Sequence, residues 1–366
     1  MKLKKNAAIL LIMVVLCLAV LTSCGSNGDV DADTDADAGA EADTEASADA
    51  GEGKKTVVDQ LGRTVELPEK VEKVSALHIY GAKMIFAMGQ KEKIAYQLAA
   101  GGPDTEALAK VDEFYGSLPT VESSAHGIDN PEAMLELGVD VVFTNARAGE
   151  EAAESYQNAG MTAIAVSGET FEEVYETARI MSVVFDCPER DEEVIEFIEG
   201  IRGLVDERIF KVAEGDKPVV LVCGPQGVYT AAAADMFQQQ MVETAGGINA
   251  GAELSGGWVN ISAEDIVTWD PDFIFLASSF GLEDVESVLA DPALQTVKAV
   301  KNKQVYIFPS SLGWWDFPLP QSVLGIVWTA KTIHPELWED VDMLEMADKV
   351  YEFLYGYTYT ELGGVL

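Results

Sequence analysis

NPEAMLELGVDVVF (130–143) and SAEDIVTWDPDFIF (262–275) align without a gap at an offset of 132 residues. Asn130 falls on Ser262, Glu132 on Glu264 and Asp140 on Asp272. Each copy reads as a residue suited to cap a helix N-terminus, an acid, a short apolar-spaced helix, an aspartate turn and an apolar strand (141–143 and 273–275). One such unit at a similar place in each half of a chain restricts the fold to two lobes of one architecture.

The segment between the copies fixes how the lobes connect. In PERDEEVIEFIEGIRGLVDERIFKVAEG, Val194, Phe197, Ile198, Ile201, Leu204, Val205, Ile209 and Val212 recur at helical spacing. Pro188 opens this amphipathic helix and Gly215 lies just past its end. About 24 residues at ~1.5 Å each predict a rod of roughly 36 Å, a stiff link between lobes. Around it, apolar strands (VEKVSAL, KIAYQLA, DVVFTN, MTAIAVS, then PVVLVCG, DFIFLAS, QVYIFPS) alternate with helices. The helices are 82–88, TFEEVYETARIMSVVF, DMFQQQMVETAGG, QSVLGIVWTAKTIH and DMLEMADKVYEFLYG. That alternation predicts an α/β fold with mainly parallel sheets.

The N-terminus points outside the cytoplasm. Lys2, Lys4 and Lys5 precede the apolar run 7–21, too short for a membrane span and right for a signal peptide. The run ends in LTSC, which resembles the lipobox of bacterial lipoproteins, with Cys24 as the lipidated residue. Residues 25–55 hold ten acids, two lysines and little that is apolar, so they read as an extended tether. The expected organisation is a signal peptide (1–23), the lipidated Cys24 with its tether (24–55), an N-terminal lobe (56–187), a connecting helix (188–215) and a C-terminal lobe (216–366).

Net charge is −38 overall and about −33 for residues 56–366, which argues against nucleic acid or anionic lipid as partners. The membrane is then reached only through the lipid anchor. Of the cysteines, Cys17 falls in the signal peptide. Cys187 and Cys223 match no disulfide framework or metal spacing and read as free buried thiols, although pairing outside the cell stays open.

VVDQLGRTVELPEKVEKVSAL (57–77) resembles the opening of class III substrate-binding proteins of ABC importers. The resemblance runs on through NPEAMLELGVDVVF, AGMTAIAVSGETFEEV, the connecting helix, VETAGGINAGAE, NISAEDIVTWDPDFIF and WTAKTIHPELW, covering nearly all of 56–356. It implies a monomeric, non-enzymatic protein with no cofactor of its own. The ligand would be a metal chelate (a ferric siderophore, haem or cobalamin) lying in a cleft between lobes that close little. It also implies that Glu132 and Glu264, one per lobe, dock onto the permease of an importer driven by its ATPase. An acid in the first turn of a helix is also favourable against the helix dipole by a few tenths to about 1 kcal/mol.

Ligands of open α/β sheets bind outside the carboxyl ends of the strands. Candidates there are His78 and Tyr80 in HIYGA, Ser124 and His126 in ESSAHGID, Arg147 in NARAGE, Trp258 in ELSGGWVN, and Trp314, Trp315 and Asp316 in SSLGWWDF. Rings in glycine- or proline-marked loops can stack on a flat or bulky ligand. Either histidine can instead be a structural residue, and Arg147 either pairs with a ligand carboxylate or is solvated. Which of Trp314 and Trp315 faces the ligand stays open. Trp328 and Trp338 read as helix-packing residues and His334 as a helix-end residue. Haem would need an axial donor from His78, Tyr80 or His126. An anionic siderophore would want more basic residues than these loops carry. A bare Zn²⁺ or Mn²⁺ site is the weaker option, with two histidines and Asp316. The sequence lacks G-x-S-x-G, H-E-x-x-H, a P-loop and G-x-G-x-x-G, so no catalytic constellation supports the rival readings of an extracellular enzyme, an adhesin or a sensor lipoprotein.

Overall fold

The computed structural model describes residues 54–76, 79–98, 103–121, 131–224, 226–277, 284–309 and 311–366. Cys24, the signal peptide, the tether as far as residue 53, His78, Ser124, His126 and the side chain of Tyr80 lie outside the described residues.

The repeated unit folds twice into the same device. Asp140 accepts hydrogen bonds from the N–H groups of Glu72 (2.8 Å) and Lys73 (2.9 Å), at the entry to the strand Val74–Ala76. Asp272 accepts from the N–H of Val219 (2.9 Å), the first residue of the strand Val219–Cys223. In both copies the strand after the aspartate pairs in parallel with the strand whose entry the carboxylate holds. Gly138 (φ 73°) and Asp270 (φ 45°), which align in the repeat, both turn the chain through the left-handed region just after the helix.

Two parallel sheets result. The first has the order Val74–Ala76, Val141–Asn145, Thr162–Val166. The second has the order Ile248–Asn249, Val219–Cys223, Phe273–Leu276, Val305–Ile307. Residues alternate between two apolar layers along each strand. Val141, Phe143, Ile164 and Val166 join the large central core, whereas Val142 and Ala163 belong to a cluster on the other face. Likewise Val220, Val222 and Phe275 face the central core, and Leu221, Cys223, Ile274 and Leu276 face the opposite cluster. Strands buried on both faces explain the near-continuous apolar runs in the sequence.

The connecting helix spans Arg190–Ile209, about 30 Å, shorter than the sequence suggested. Its last turns tighten, with the N–H groups of Lys211 and Val212 bonding the carbonyls of Arg208 and Ile209, so the apolar spacing outlasts the helix. Val194, Ile198, Ile201 and Val205 are its buried stripe.

A second brace, not legible in the sequence, lies beside it. The helix Met343–Tyr355, which follows the second sheet in sequence, packs back onto the first lobe. Phe353 stacks on Phe197 of the connecting helix (centroids 3.9 Å, 12° between planes). Arg190 donates both to the Ala87 carbonyl (2.8 Å) and to the Phe353 carbonyl (3.0 Å), tying three elements with one side chain. Beyond the helix, Tyr357 donates to Asp112 of the first lobe (3.0 Å). One large core runs through both lobes, the connecting helix and this C-terminal helix.

Sequence expectations elsewhere need local correction. KIAYQLA bridges the first sheet in parallel at Ile94 and Val74 and then forms the two-residue strand Gln97–Leu98, paired with Thr120–Val121. The helix expected over 82–88 is Ile79–Ala87. Cys187 and Cys223 are both free thiols; Cys223 is fully buried and Cys187 half-buried. Trp338 is fully buried with the Arg208 guanidinium over its ring (4.7 Å), and Trp328 packs on Phe275 and Phe308. His334 closes the helix Val323–Ile333 and its Nε2 lies 3.1 Å from the Gly246 carbonyl.

Candidate ligand-binding site

Beyond the carboxyl ends of the strands lies a cavity of about 340 Å³ lined by Arg147, Glu169, Met236, Gln238, Gly257, Trp258, Asp316, Phe317 and Pro318. Three predicted residues, Arg147, Trp258 and Asp316, therefore meet in one place. Of the others, His78, Tyr80, Ser124 and His126 fall outside the described side chains, and Trp314 and Trp315 are not among the lining residues.

The first lobe supplies the charged side. Asn145 ends its strand and accepts the N–H of Arg147 (2.9 Å), so the chain turns sharply and Arg147 stands just past the sheet. Glu169 comes three residues after the strand Thr162–Val166, immediately before Thr170, the N-cap of the helix Phe171–Phe185. Its own N–H is held by the Glu173 carboxylate (2.7 Å), which also accepts from the Ser167 hydroxyl (2.6 Å). Arg147 Nε and Glu169 Oε1 lie 3.2 Å apart. Burial pushes the Glu169 carboxyl up; Arg147 opposes the rise, and Glu173 and Asp235 add to it.

The second lobe supplies most of the apolar side. Trp258 begins the strand Trp258–Asn260, paired antiparallel with Thr230–Ala232, rather than lying in a loop as expected from its neighbouring glycines. Its ring rests against Gly224, where a Cβ would come 2.3 Å from Trp258 Cε3. Asp235 accepts from the N–H groups of Gly256 and Gly257 (each 3.2 Å from Oδ1), and these bonds, above all that of Gly257, hold its carboxyl down. Met236 and Gln238 come from the start of the helix Phe237–Thr244. Gln238 donates to the Asp316 carbonyl (2.6 Å), which ties this helix to the aromatic loop.

That loop is built differently from the expectation. Trp315 does not line the cavity: it is fully buried, with its ring on Tyr359 (5.7 Å between centroids). The helix Val323–Ile333 presses on its backbone, since a Cβ at Gly325 would stand 2.2 Å from the Trp315 carbonyl oxygen. Trp314 is half-buried against Phe317 (5.6 Å, edge to face) and does not line the cavity either. The loop presents Asp316, Phe317 and Pro318 instead. Tyrosines following in sequence pin it from beneath: Tyr351 donates to the Leu312 carbonyl and Tyr359 pairs with the Ser311 hydroxyl (2.6 Å). The aromatic cluster thus splits into a fully buried Trp315 and the half-buried Trp314 and Phe317, of which Phe317 lines the cavity.

Glu169, Met236, Gln238, Phe317 and Pro318 were not singled out from the sequence. Glu169 was within reach, because it stands only three residues past the end of a strand. Gln238 and Met236 carried no signal, since only tertiary packing brings their helix to the cavity. Glu132 and Glu264 are both exposed in the first turns of the helices Pro131–Glu136 and Ala263–Trp269. Among the described residues no group of three His, Cys, Asp or Glu side chains could hold a metal ion.

The raised Glu169 carboxyl has a measurable consequence. The native state binds its proton more readily than the unfolded chain, so stability falls as pH rises from the ordinary carboxylate range through the raised value. Glu169→Gln removes this loss. Its thermal midpoint is expected to match or exceed that of the wild type at pH 7, and the gap should close at pH 4. A lower midpoint for the variant at pH 7 contradicts the assignment.

Comparison with known proteins identifies the architecture. Residues 74–312 match the family described as periplasmic binding protein. The molybdate-binding protein MolA of Haemophilus influenzae is 24% identical over 336 residues, 83% of this chain and 92% of the relative. The structure of MolA bound to molybdate superimposes with a TM-score of 0.72 at 20% identity, covering 84% of this chain and 99% of that one. CeuE of Helicobacter pylori with Ni(II) bound gives 0.69 at 21% identity (84% and 98% covered), and the periplasmic haem-binding protein RhuT of Roseiflexus gives 0.59 at 17% (73% and 100%). These relatives are binding proteins, and the family is extracytoplasmic. With two parallel sheets, a connecting helix and a cavity beyond the strand ends, this chain belongs to the periplasmic binding protein family.

Proposed function

We propose that this protein is the solute-binding lipoprotein of an ABC importer, anchored through Cys24. In this reading it captures a neutral or cationic metal chelate, a ferric siderophore foremost, and presents it to the permease through Glu132 and Glu264. The observation that carries the ligand class is the make-up of the cavity. Its one guanidinium, Arg147, is already paired with Glu169, and Asp316 adds a second carboxylate to the lining. The remainder is largely apolar or aromatic, from Met236, Trp258, Phe317 and Pro318. Such a lining favours a bulky ligand with few polar anchors and disfavours added negative charge.

The cavity volume sits near the lower end of the ~300–1,000 Å³ range of small-molecule sites, so a large chelate would stand partly outside it. A ligand whose metal is already coordinated also suits the described residues, which offer no three-ligand cluster. The same observation supports cobalamin as a second reading, since its cobalt arrives ligated. Haem would draw its axial donor from His78, Tyr80 or His126. The comparisons include binders of molybdate, Ni(II) and haem, and the cavity chemistry rather than any one relative guides the choice.

A thermal-shift series tests the ligand class. Ferrioxamine B (a ferric trihydroxamate of net positive charge), cobalamin, haem and molybdate are each added to the purified protein. A chelate at 100 times its Kd is expected to stabilise the fold by about 2.7 kcal/mol, which raises the midpoint. A rise with molybdate alone would contradict the reading.

A further inference from the structure

The Arg147–Glu169 pair stands out because it places the cleft's basic group beside an acid held there by design of the backbone. The backbone that carries Glu169 is fixed: its N–H is clamped by Glu173, and Thr170 caps the helix that starts immediately after it. Its side chain is 23% exposed while Arg147 is 50% exposed, so the acid is the sheltered member and the guanidinium the one that reaches outward. Across from the pair, Asp235 is fixed by two glycine N–H groups, and the charges of Arg147, Glu169 and Asp235 all act on one another. Asp316 closes the set on the loop side. Among the described residues the Arg147 guanidinium thus stands among Glu169, Glu173 and Asp235, with Asp316 on the loop side.

We infer that Glu169 is a specificity-determining residue that neutralises Arg147 and thereby excludes oxyanions from a cleft that would otherwise bind them. A guanidinium is the side chain best shaped for tetrahedral and carboxylate oxyanions, because its N–H groups form a fork. Glu169 meets the guanidinium at Nε, so what it takes from Arg147 is net charge rather than the outward-facing N–H groups. With Glu169 ionised beside it, an incoming oxyanion meets a pair of no net charge and the additional repulsion of Asp235. A cationic or neutral chelate meets the reverse. The cleft therefore selects by repulsion as well as by fit. This inference deepens the proposed function and rests on the cavity being the ligand site.

Molybdate serves as the oxyanion probe and ferrioxamine B as the cationic one, both measured by isothermal titration on the mature chain. Like charges about 6–12 Å apart at an effective dielectric constant near 20 shift affinity by about ten- to a hundredfold. Glu169→Gln is therefore expected to bind molybdate at least about tenfold more tightly than the wild type. Asp235→Asn, at an exposed position, should gain in the same direction but less, and serves should the first variant not fold. Adding Arg147→Ala to Glu169→Gln must abolish the gain, which ties it to the guanidinium. Wild-type protein that binds molybdate as tightly as Glu169→Gln overturns the inference, as does no gain in either single variant or a gain that survives Arg147→Ala. The cationic arm separates the two levels of the argument. If ferrioxamine B binds the wild type and molybdate never gains, only the charge-selection role fails. If molybdate gains while no chelate binds any form, the role of Glu169 stands and the chelate reading falls.

Discussion

Trp315→Ala is expected to destabilise the fold by about 3–5 kcal/mol, the range for emptying a large aromatic site in a core. The ring is fully buried between Tyr359 and the body of the second lobe, and its backbone touches Gly325. A loss of that size is a large share of a typical stability of ~5–15 kcal/mol. Urea denaturation followed by circular dichroism measures it. Trp315→Phe should cost far less. It keeps most of the apolar contact and removes the buried indole Nε1–H, which has no hydrogen-bond partner among the described residues; a buried unsatisfied donor costs about 1–3 kcal/mol. A Trp315→Ala variant that folds normally but fails to bind a chelate would instead put this ring on the ligand wall.

Reversing Glu132 and Glu264 together to lysine is expected to abolish importer-dependent uptake while leaving chelate affinity unchanged and lowering the thermal midpoint by only a few degrees. Both side chains are exposed, one on each lobe, at aligned positions of the repeated unit. The connecting helix and the C-terminal helix brace the two lobes, so the separation of the two carboxylates is held by packed structure rather than by loops. Losing a few tenths to about 1 kcal/mol of helix-dipole stabilisation at each site would not stop uptake. Uptake measured with a labelled chelate in cells carrying the variant gives the answer, and an unchanged rate would remove the docking role.

The large features of this fold were legible because they rest on periodicity. The repeat placed Asp140 and Asp272 at equivalent turns, and their carboxylates do hold equivalent strand entries. The apolar stripe of the connecting helix gave its burial pattern, though not its end, where the last turns tighten on Arg208 and Ile209. The brace from the C-terminal helix left no trace in the sequence. Phe197 and Phe353 are far apart along the chain, and nothing local marks them as a stacked pair. The site was legible in part for the same reason. Strand ends located Arg147 and the 310–321 loop, whereas the direction of each ring in that loop depends on Tyr351 and Tyr359 arriving from beneath. Composition marks SSLGWWDF as aromatic; only packing divides it into a buried Trp315 and a cavity-lining Asp316 and Phe317.

The central claim is that the cavity bounded by Arg147, Glu169, Trp258 and Asp316 takes the transported chelate. Fluorescence titration of the wild type and of Trp258→Leu with the chelate that gives the largest thermal shift tests it most directly. Trp258 is half-buried, lines the cavity and rests on Gly224, so its loss should spare the fold and strip the ligand of its largest ring. Strong quenching is expected in the wild type, and an affinity at least about tenfold weaker in Trp258→Leu, equivalent to ~1.4 kcal/mol. Equal affinities for the two proteins would place the ligand elsewhere and contradict it.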